Sequence, residues 1–400
     1  MSLSLSVTAL NTKMSSTLAI TAKAQELKAQ GLDVISFSAG EPDFDTPEHI
    51  AEAGIKAIKE GFTRYTAATG TPELKKAISD KFRNVNHIDY APDQIVVSNG
   101  GKHSLSNVFT AIINPGDEVI IPAPFWVSYP EMVKLVKGVP VIVYGDKENN
   151  YKVTAEQVRA AVTENTKALV INSPNNPTGM VYTKNELLAI AQVAVEKDFY
   201  IVSDEIYENL LYTGEEYTSV AALSKEIYDR TITVNGLAKS YAMTGWRIGY
   251  TGASKEITQV MTRIQSHQTS NPNSIAQKAA LAAIAGDQTC VKEMLKAFAE
   301  RSVYMYERVC AIEGFHTVKP MGAFYVFVDI NGIFGKKYKG KAINSAADFA
   351  SMLLEDYYVA VVPCDDFGYT DHFRMSYATS MENIKNGMDR IAQMISELTD

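Results

Sequence analysis

From about residue 94, short apolar runs alternate with helical stretches, and this alternation constrains the fold more than any other feature. The runs fall at 94–97, 118–121, 139–143, 168–171, 200–202, 231–234 and 248–251. Each is short, β-branched or leucine-rich and bounded by turn residues, so each reads as a buried strand. Strands that alternate with helices imply an α/β fold with a mostly parallel central sheet. Ligands of such sheets gather at the carboxyl ends of the strands. The chain's polar motifs lie at those ends.

The flanking regions read differently. Residues 17–30 have helical spacing, stopped by Gly31, and 33–37 form a short strand leading into Ser38-Ala39-Gly40-Glu41-Pro42-Asp43-Phe44. Helix starts are expected at Thr46-Pro47-Glu48, with Pro47 in the first helical position, and at Thr71-Pro72-Glu73. After Ser274 one long helical region is expected to run past Arg308, followed by strands at 323–328, 359–362 and 373–377 and a terminal helix from about Ser380. Residues 332–341 read as a surface loop. The expected organisation is a large domain over 46–290, with 1–45 and 291–400 forming a smaller α+β domain.

Composition narrows the function classes. A net charge of −8 argues against a general nucleic-acid binder. Cys290, Cys310 and Cys364 are scattered and odd in number, so neither a disulfide framework nor a metal site is expected. The six histidines form no cluster, which also speaks against a metal. Met1 to Leu10 lack the pattern of a signal peptide, and no apolar run approaches the ~20 residues that span a bilayer. A soluble, cytoplasmic protein without membrane contact is the expectation.

Several strand ends carry polar groups that, taken singly, have ordinary structural explanations. Lys239 lies among small and apolar residues after the 231–234 run, with Arg247 eight positions on. A poorly solvated lysine offers a neutral, nucleophilic amine, and an arginine beside it suits a phosphate. Asn99-Gly100-Gly101-Lys102 joins a strand to a helix start, where peptide N–H groups attract an anion. Asn172 to Gly179, including Asn176, brings an amide to a strand end, and Asp204 with Tyr207 follows the 200–202 run. A carboxylate there can keep a heteroaromatic nitrogen protonated. Trp126 can stack on a planar ring, and Arg374, inside an apolar strand, can grip a carboxylate bidentately. Together they supply an amine, a phosphate clamp, an acid, an amide, a ring stack and a carboxylate fork.

With these residues assembled, the chain resembles the class-I pyridoxal-phosphate-dependent aminotransferases of fold type I, and within them the bacterial aspartate aminotransferases of the Ib subgroup. The likeness runs from about Lys13 to the C-terminal helix and rests on the 38–44, 176–179, 203–207 and 239–249 motifs in combination. It implies pyridoxal 5'-phosphate as cofactor, bound covalently by Lys239, which then carries the proton transfer. It implies Asp204 on the pyridine nitrogen, Asn176 and Tyr207 on the phenolic oxygen, and Trp126 on the ring face. Arg247 with the N–H groups of Gly101 and Lys102 would hold the phosphate, joined by Tyr65 from a neighbouring subunit, which implies a homodimer with shared sites. Arg374 would take the substrate α-carboxylate, helped by Asn176, Trp126 and Gly40. The Lys102 side chain, with Ser15 and Thr17, matches the distal-carboxylate position, and Lys13 matches a lysine associated with prephenate use. Met14, Ala238 and His267 depart from the family's usual residues.

The resemblance thus implies amino transfer from L-aspartate to 2-oxoglutarate, with prephenate or aromatic amino-acid transamination as the alternative on the same scaffold. A β-lyase or decarboxylase would share the cofactor. A non-catalytic regulator would be expected to lose Lys239, Asp204 or Arg374, and all three are present.

Overall fold

The computed structural model describes residues 5–14 and 16–400, and a seven-stranded sheet organises it. The strands are β1 Ile95–Ser98, β2 Glu118–Ala123, β3 Val139–Tyr144, β4 Thr166–Asn172, β5 Tyr200–Asp204, β6 Thr231–Gly236 and β7 Gly249–Gly252. They are the seven expected runs, in the order β1-β7-β6-β5-β4-β2-β3. All pairings are parallel except those of β7, which runs antiparallel to β6 and to β1. The 237–248 connection contains no helix to carry the chain back across the sheet, so β7 returns beside β6 in the opposite sense.

Continuous apolarity has its reason in the layers. Ala168 and Val170 of β4 pack with the helices Gly101–Ile112, Ser128–Leu135 and Lys255–Gln268. Leu169 and Ile171 face the other way, towards Ala155–Ala161 and Lys184–Lys197. Each fully buried aliphatic side chain of this kind contributes about 1.5–3 kcal/mol, so a strand buried on both faces is mostly apolar and admits a polar residue such as Thr231 or Thr233 only with a hydrogen-bond partner. At the other side of the sheet, Ile95, Val97 and Tyr250 pack with the helices Glu48–Lys59, Pro72–Val85 and Ser274–Ala285.

The C-terminal part forms a second, antiparallel sheet of β8 His316–Thr317, β9 Tyr325–Asp329, β10 Val362–Pro363 and β11 His372–Ser376, in the order β10-β11-β9-β8. The helices Thr289–Cys310, Ala346–Tyr357 and Met381–Ser396 cover it, and Ile35 and Phe37 join the same core. Ile35–Ser36 pairs in parallel with Val359–Ala360, which ties the N-terminal segment to this unit.

The structure corrects several local expectations. The long helical region breaks into Ser274–Ala285 and Thr289–Cys310, because Gly286 leaves the helix in an extended conformation. Pro47 stands before the Glu48–Lys59 helix as its N-cap rather than inside it. The 359–362 run divides between two sheets, and the 323–328 strand begins only at Tyr325 because Ala323 sits at φ +58. The 332–341 loop holds a small hairpin, Lys337–Tyr338 against Lys341–Ala342. Among the described residues no helix is long and apolar enough to cross a membrane.

Candidate active site

Strand register brings the polar strand ends to one edge. Asn172, Asp204 and Val234 are level across β4, β5 and β6. Two residues beyond Val234, Gly236 pairs with Gly249, and Gly249 pairs with Ser98 at the end of β1. The motifs that follow these residues therefore open onto the same crevice.

Lys239 lies in the connection from β6 to β7. Its amine donates to the Gly40 carbonyl and stands 5.7 Å from the Phe324 ring centroid. Desolvation pulls its pKa down to about 8, with Arg374 and Arg247 pushing the same way against Glu41 and Asp204. Asp204, buried at the end of β5, is pushed up to about 6 by desolvation, and hydrogen bonds from Tyr129 and the Ile206 N–H restrain that rise. The Tyr129 hydroxyl donates to Asp204 Oδ2 at 2.7 Å and the Ile206 N–H to Oδ1 at 3.3 Å. The loop after β4 is keyed to the same place. Asn172 Nδ2 donates to the Asp204 carbonyl at 3.0 Å, and Asn172 Oδ1 accepts the Asn176 N–H at 3.0 Å.

An anion-binding corner lies beside Lys239. The helix Gly101–Ile112 begins here, and its first-turn N–H groups precede the intrahelical ladder and lack partners within it. Arg247, in the left-handed region at φ +56, places its guanidinium against Gly100, where a Cβ would come within 2.6 Å of Nη2. Gly249 is equally constrained, since a Cβ there would meet the Gly101 nitrogen at 2.3 Å. Only glycine lets the helix start, the strand and the guanidinium approach so closely. Trp126 stands between this corner and Asp204, with Lys102 Nζ 4.9 Å from its ring centroid and the Tyr129 ring at 5.3 Å, edge-on.

Opposite, β11 presents Arg374, only 2% exposed. One terminal nitrogen donates to Asn176 Oδ1 at 2.9 Å and the other to the Ser38 carbonyl at 3.1 Å. The guanidinium carbon lies 4.4 Å from the Tyr325 ring centroid and 5.3 Å from that of Phe367. Its Nε is buried without a partner, and neither terminal nitrogen is hydrogen-bonded to a carboxylate. Tyr325 also meets the Tyr207 hydroxyl at 3.0 Å, and Gly40 packs over its hydroxyl.

The chain thus brings Lys239, Asp204, Asn176, Tyr207, Arg247, Gly101, Lys102, Trp126, Gly40 and Arg374 around one crevice. It does not bring in every expected residue. Tyr65, expected to act at a neighbouring subunit's site, is 90% exposed on this chain. Lys13 is exposed, its N–H donating to Glu131 at 2.9 Å, and Thr17 is half-buried in the Ser16–Ala29 helix. Ser15 lies outside the described residues. Tyr129, Tyr325 and the Ser38 carbonyl were absent from the sequence reading. Tyr129 could have been found three positions after Trp126, one helical turn on.

A desolvated amine, a buried carboxylate, an anion corner and an unneutralised guanidinium around one crevice suit a phosphorylated aldehyde cofactor and a carboxylate substrate. The comparisons with known proteins agree with that chemistry. Residues 32–391 match the family model described as aminotransferase class I and II. A Bacillus sp. (strain YM-2) protein named aspartate aminotransferase is 50% identical, covering 95% of this chain and 96% of its own. A Nitrosomonas europaea protein named aspartate/prephenate aminotransferase is 45% identical, over 96% and 98%. The solved aspartate aminotransferase of Thermus thermophilus with maleate superposes with a TM-score of 0.92 at 45% identity, covering 98% of this chain and all of that one. The chain belongs to the class I and II aminotransferase family.

Proposed function

We propose that this aminotransferase moves the amino group of L-aspartate to 2-oxoglutarate, giving oxaloacetate and L-glutamate, with pyridoxal 5'-phosphate as its cofactor. The observation that carries the reading is Arg374, a buried guanidinium whose Nε has no partner and whose other nitrogens meet only neutral oxygens. Such a group calls for an anionic ligand. Names carried by full-length relatives at 45–50% identity support the amino donor.

The residues fit the cofactor. The glycine-tight corner of Gly100, Gly101 and Arg247 matches a phosphate, with the Gly101 and Lys102 N–H groups and the partner subunit's Tyr65 completing its shell. When bound, the cofactor supplies an aldehyde for the amino group and an electron-withdrawing ring that stabilises charge at the substrate α-carbon. Asp204, ionised above about pH 6, would pair with the ring nitrogen and keep it protonated. Asn176 and Tyr207 would donate to the phenolic oxygen, and Trp126 would cover one ring face. Lys239, with its pKa near 8, would be the base that takes the proton from the substrate α-carbon and holds it at Nζ. Arg374 fixes the α-carboxylate and thereby aims the α-hydrogen. The Lys102 side chain would meet the distal carboxylate, assisted by Ser15 and Thr17. Two units, 46–290 carrying the cofactor groups and 1–45 with 291–400 carrying Arg374, close this site in each half of a homodimer.

A second reading, transamination of prephenate, is favoured by Lys13 and by the name of the Nitrosomonas relative. A half-reaction screen separates them. The pyridoxal form is mixed with aspartate, glutamate, phenylalanine, arogenate and alanine, and the decay of its visible absorbance is timed. Aspartate and glutamate should react fastest; arogenate or phenylalanine leading the series would replace the first reading with the second.

A further inference from the structure

Gln265, in the Lys255–Gln268 helix, is wholly buried and uses all of its hydrogen-bonding groups. Its Nε2 donates to the Ala68 carbonyl at 2.5 Å and to the Val97 carbonyl at 2.8 Å. Its Oε1 accepts from Ser98 Oγ at 2.6 Å and from Asn107 Nδ2 at 2.9 Å. Val97 and Ser98 end β1, an edge strand, and lead directly into the Asn99-Gly100-Gly101 turn. Ala68 belongs to the loop that carries Tyr65. That loop lies along the open side of β1, where the Val97 N–H donates to the Thr69 carbonyl at 3.0 Å. A second buried glutamine, Gln277, pins the same loop by accepting the Thr71 N–H at 2.8 Å and donating to Thr66 Oγ1 at 3.1 Å. Tyr65 itself stands 90% exposed beside these fixed points.

We infer that Gln265 is a positioning residue for the cofactor phosphate: it fixes the Tyr65 loop to the end of β1, and so sets where one subunit's Tyr65 meets the phosphate held by its neighbour. This rests on the reading of Gly101, Lys102, Arg247 and the partner subunit's Tyr65 as the phosphate shell. A side chain whose donors and acceptors are all engaged, between a loop, a strand end and a helix, transmits small displacements, because no alternative hydrogen bond is open to it. Shifting the Ala68 carbonyl moves Tyr65, three residues away, while the ring-binding groups Asp204, Asn176 and Tyr207 lie on other strand ends and stay in place.

The test compares two probes on the cofactor-free full chain: pyridoxal 5'-phosphate and pyridoxal, which lacks the phosphate. The wild type should bind the phosphorylated form more tightly; equal affinities would overturn the phosphate reading itself. Gln265→Met should weaken the phosphorylated probe about tenfold, the scale of one charged hydrogen bond, and leave pyridoxal unchanged. Combined with Tyr65→Phe it should cost no more than the larger single change, since both act through one contact. Equal losses for the two probes, additive losses with Tyr65→Phe, or unchanged affinity would each overturn the inference. If Gln265→Met does not fold, Gln265→Glu keeps the shape and the acceptors while removing the donors, and the same expectations apply. Failure of both variants to fold would assign Gln265 to the scaffold alone and overturn the positioning role.

Discussion

Asp204 and Arg374 are both buried charges, but the two sheets that carry them satisfy them to different degrees. Asp204 ends β5 of the large sheet with the Tyr129 hydroxyl on one oxygen and the Ile206 N–H on the other. Arg374 lies within β11 of the small sheet, held by two neutral oxygens and two aromatic rings. The carboxylate is therefore oriented before anything binds, whereas the guanidinium is oriented but not neutralised. Desolvating an ion without a counter-ion costs several kcal/mol, and a bound anion recovers much of it. On the proposed reading, the ring-nitrogen carboxylate of the cofactor half is satisfied in advance, and the guanidinium of the substrate half is left for a carboxylate to complete.

The largest effect should come from Lys239→Ala, which removes the amine that both halves face. Turnover should fall by about 10²- to 10⁴-fold, the span a general base contributes, together with the visible absorbance that marks cofactor attachment. A variant turning over at the wild-type rate would sink the assignment of Lys239. Arg374→Met tests the substrate half directly. We expect kcat/KM to fall about 10²- to 10³-fold for every α-amino acid, since a buried charge pair is worth roughly 2–5 kcal/mol. The thermal midpoint of the ligand-free variant should be no lower than that of the wild type, because an unneutralised buried charge has been removed. A clear drop in that midpoint would show that Arg374 is satisfied without a ligand and would remove the contrast with Asp204.

Tyr129→Phe sharpens the other side. The Tyr129 hydroxyl favours the ionised form of Asp204 and restrains a carboxyl that burial has already raised to about 6. Removing it should raise that pKa further and cut turnover about tenfold, the worth of a hydrogen bond to a charged group. The sign for stability follows from linkage. A carboxyl raised above its unfolded value of about 3.9 contributes stability at low pH that is lost as pH rises through the folded value. The cofactor-free wild type should lose this contribution between about pH 4 and 6, and in Tyr129→Phe the loss should continue to higher pH. Midpoints measured across pH 4–8 for both proteins give the comparison, and coincident curves would detach Tyr129 from Asp204.

Much of the large sheet was legible because burial on both faces favours an apolar run, and charged and amide side chains enter where that run ends. Asp204 and Asn172 end β5 and β4, so reading where apolarity stopped also located the site. Break points were harder. Gly286 interrupts a sequence whose helical periodicity is otherwise sustained, and Val361 lets one apolar run serve two sheets. Tyr129 and Tyr325 escaped notice for a different reason. A buried tyrosine reads as core whether or not its hydroxyl orients a charged group, and the partner is fixed only by the fold. Gln265 joins a loop and a strand end that lie 197 and 168 positions away in sequence, a relation no local pattern can announce.

The smallest expected effect falls on Lys102, where the two halves meet. Its side chain is exposed and leans on the Trp126 ring at 4.9 Å, so Lys102→Ala removes both a charge for a distal carboxylate and a contact that steadies the ring stack. These contributions separate by donor. Loss of the ring contact weakens alanine and phenylalanine as much as aspartate, whereas loss of the charge weakens only the dicarboxylates. An exposed ion pair is worth up to ~1 kcal/mol, so the aspartate-to-alanine ratio of kcat/KM should fall by about fivefold while alanine itself changes less. An equal loss for every donor would place Lys102 with the cofactor half and leave the distal carboxylate to Ser15 and Thr17.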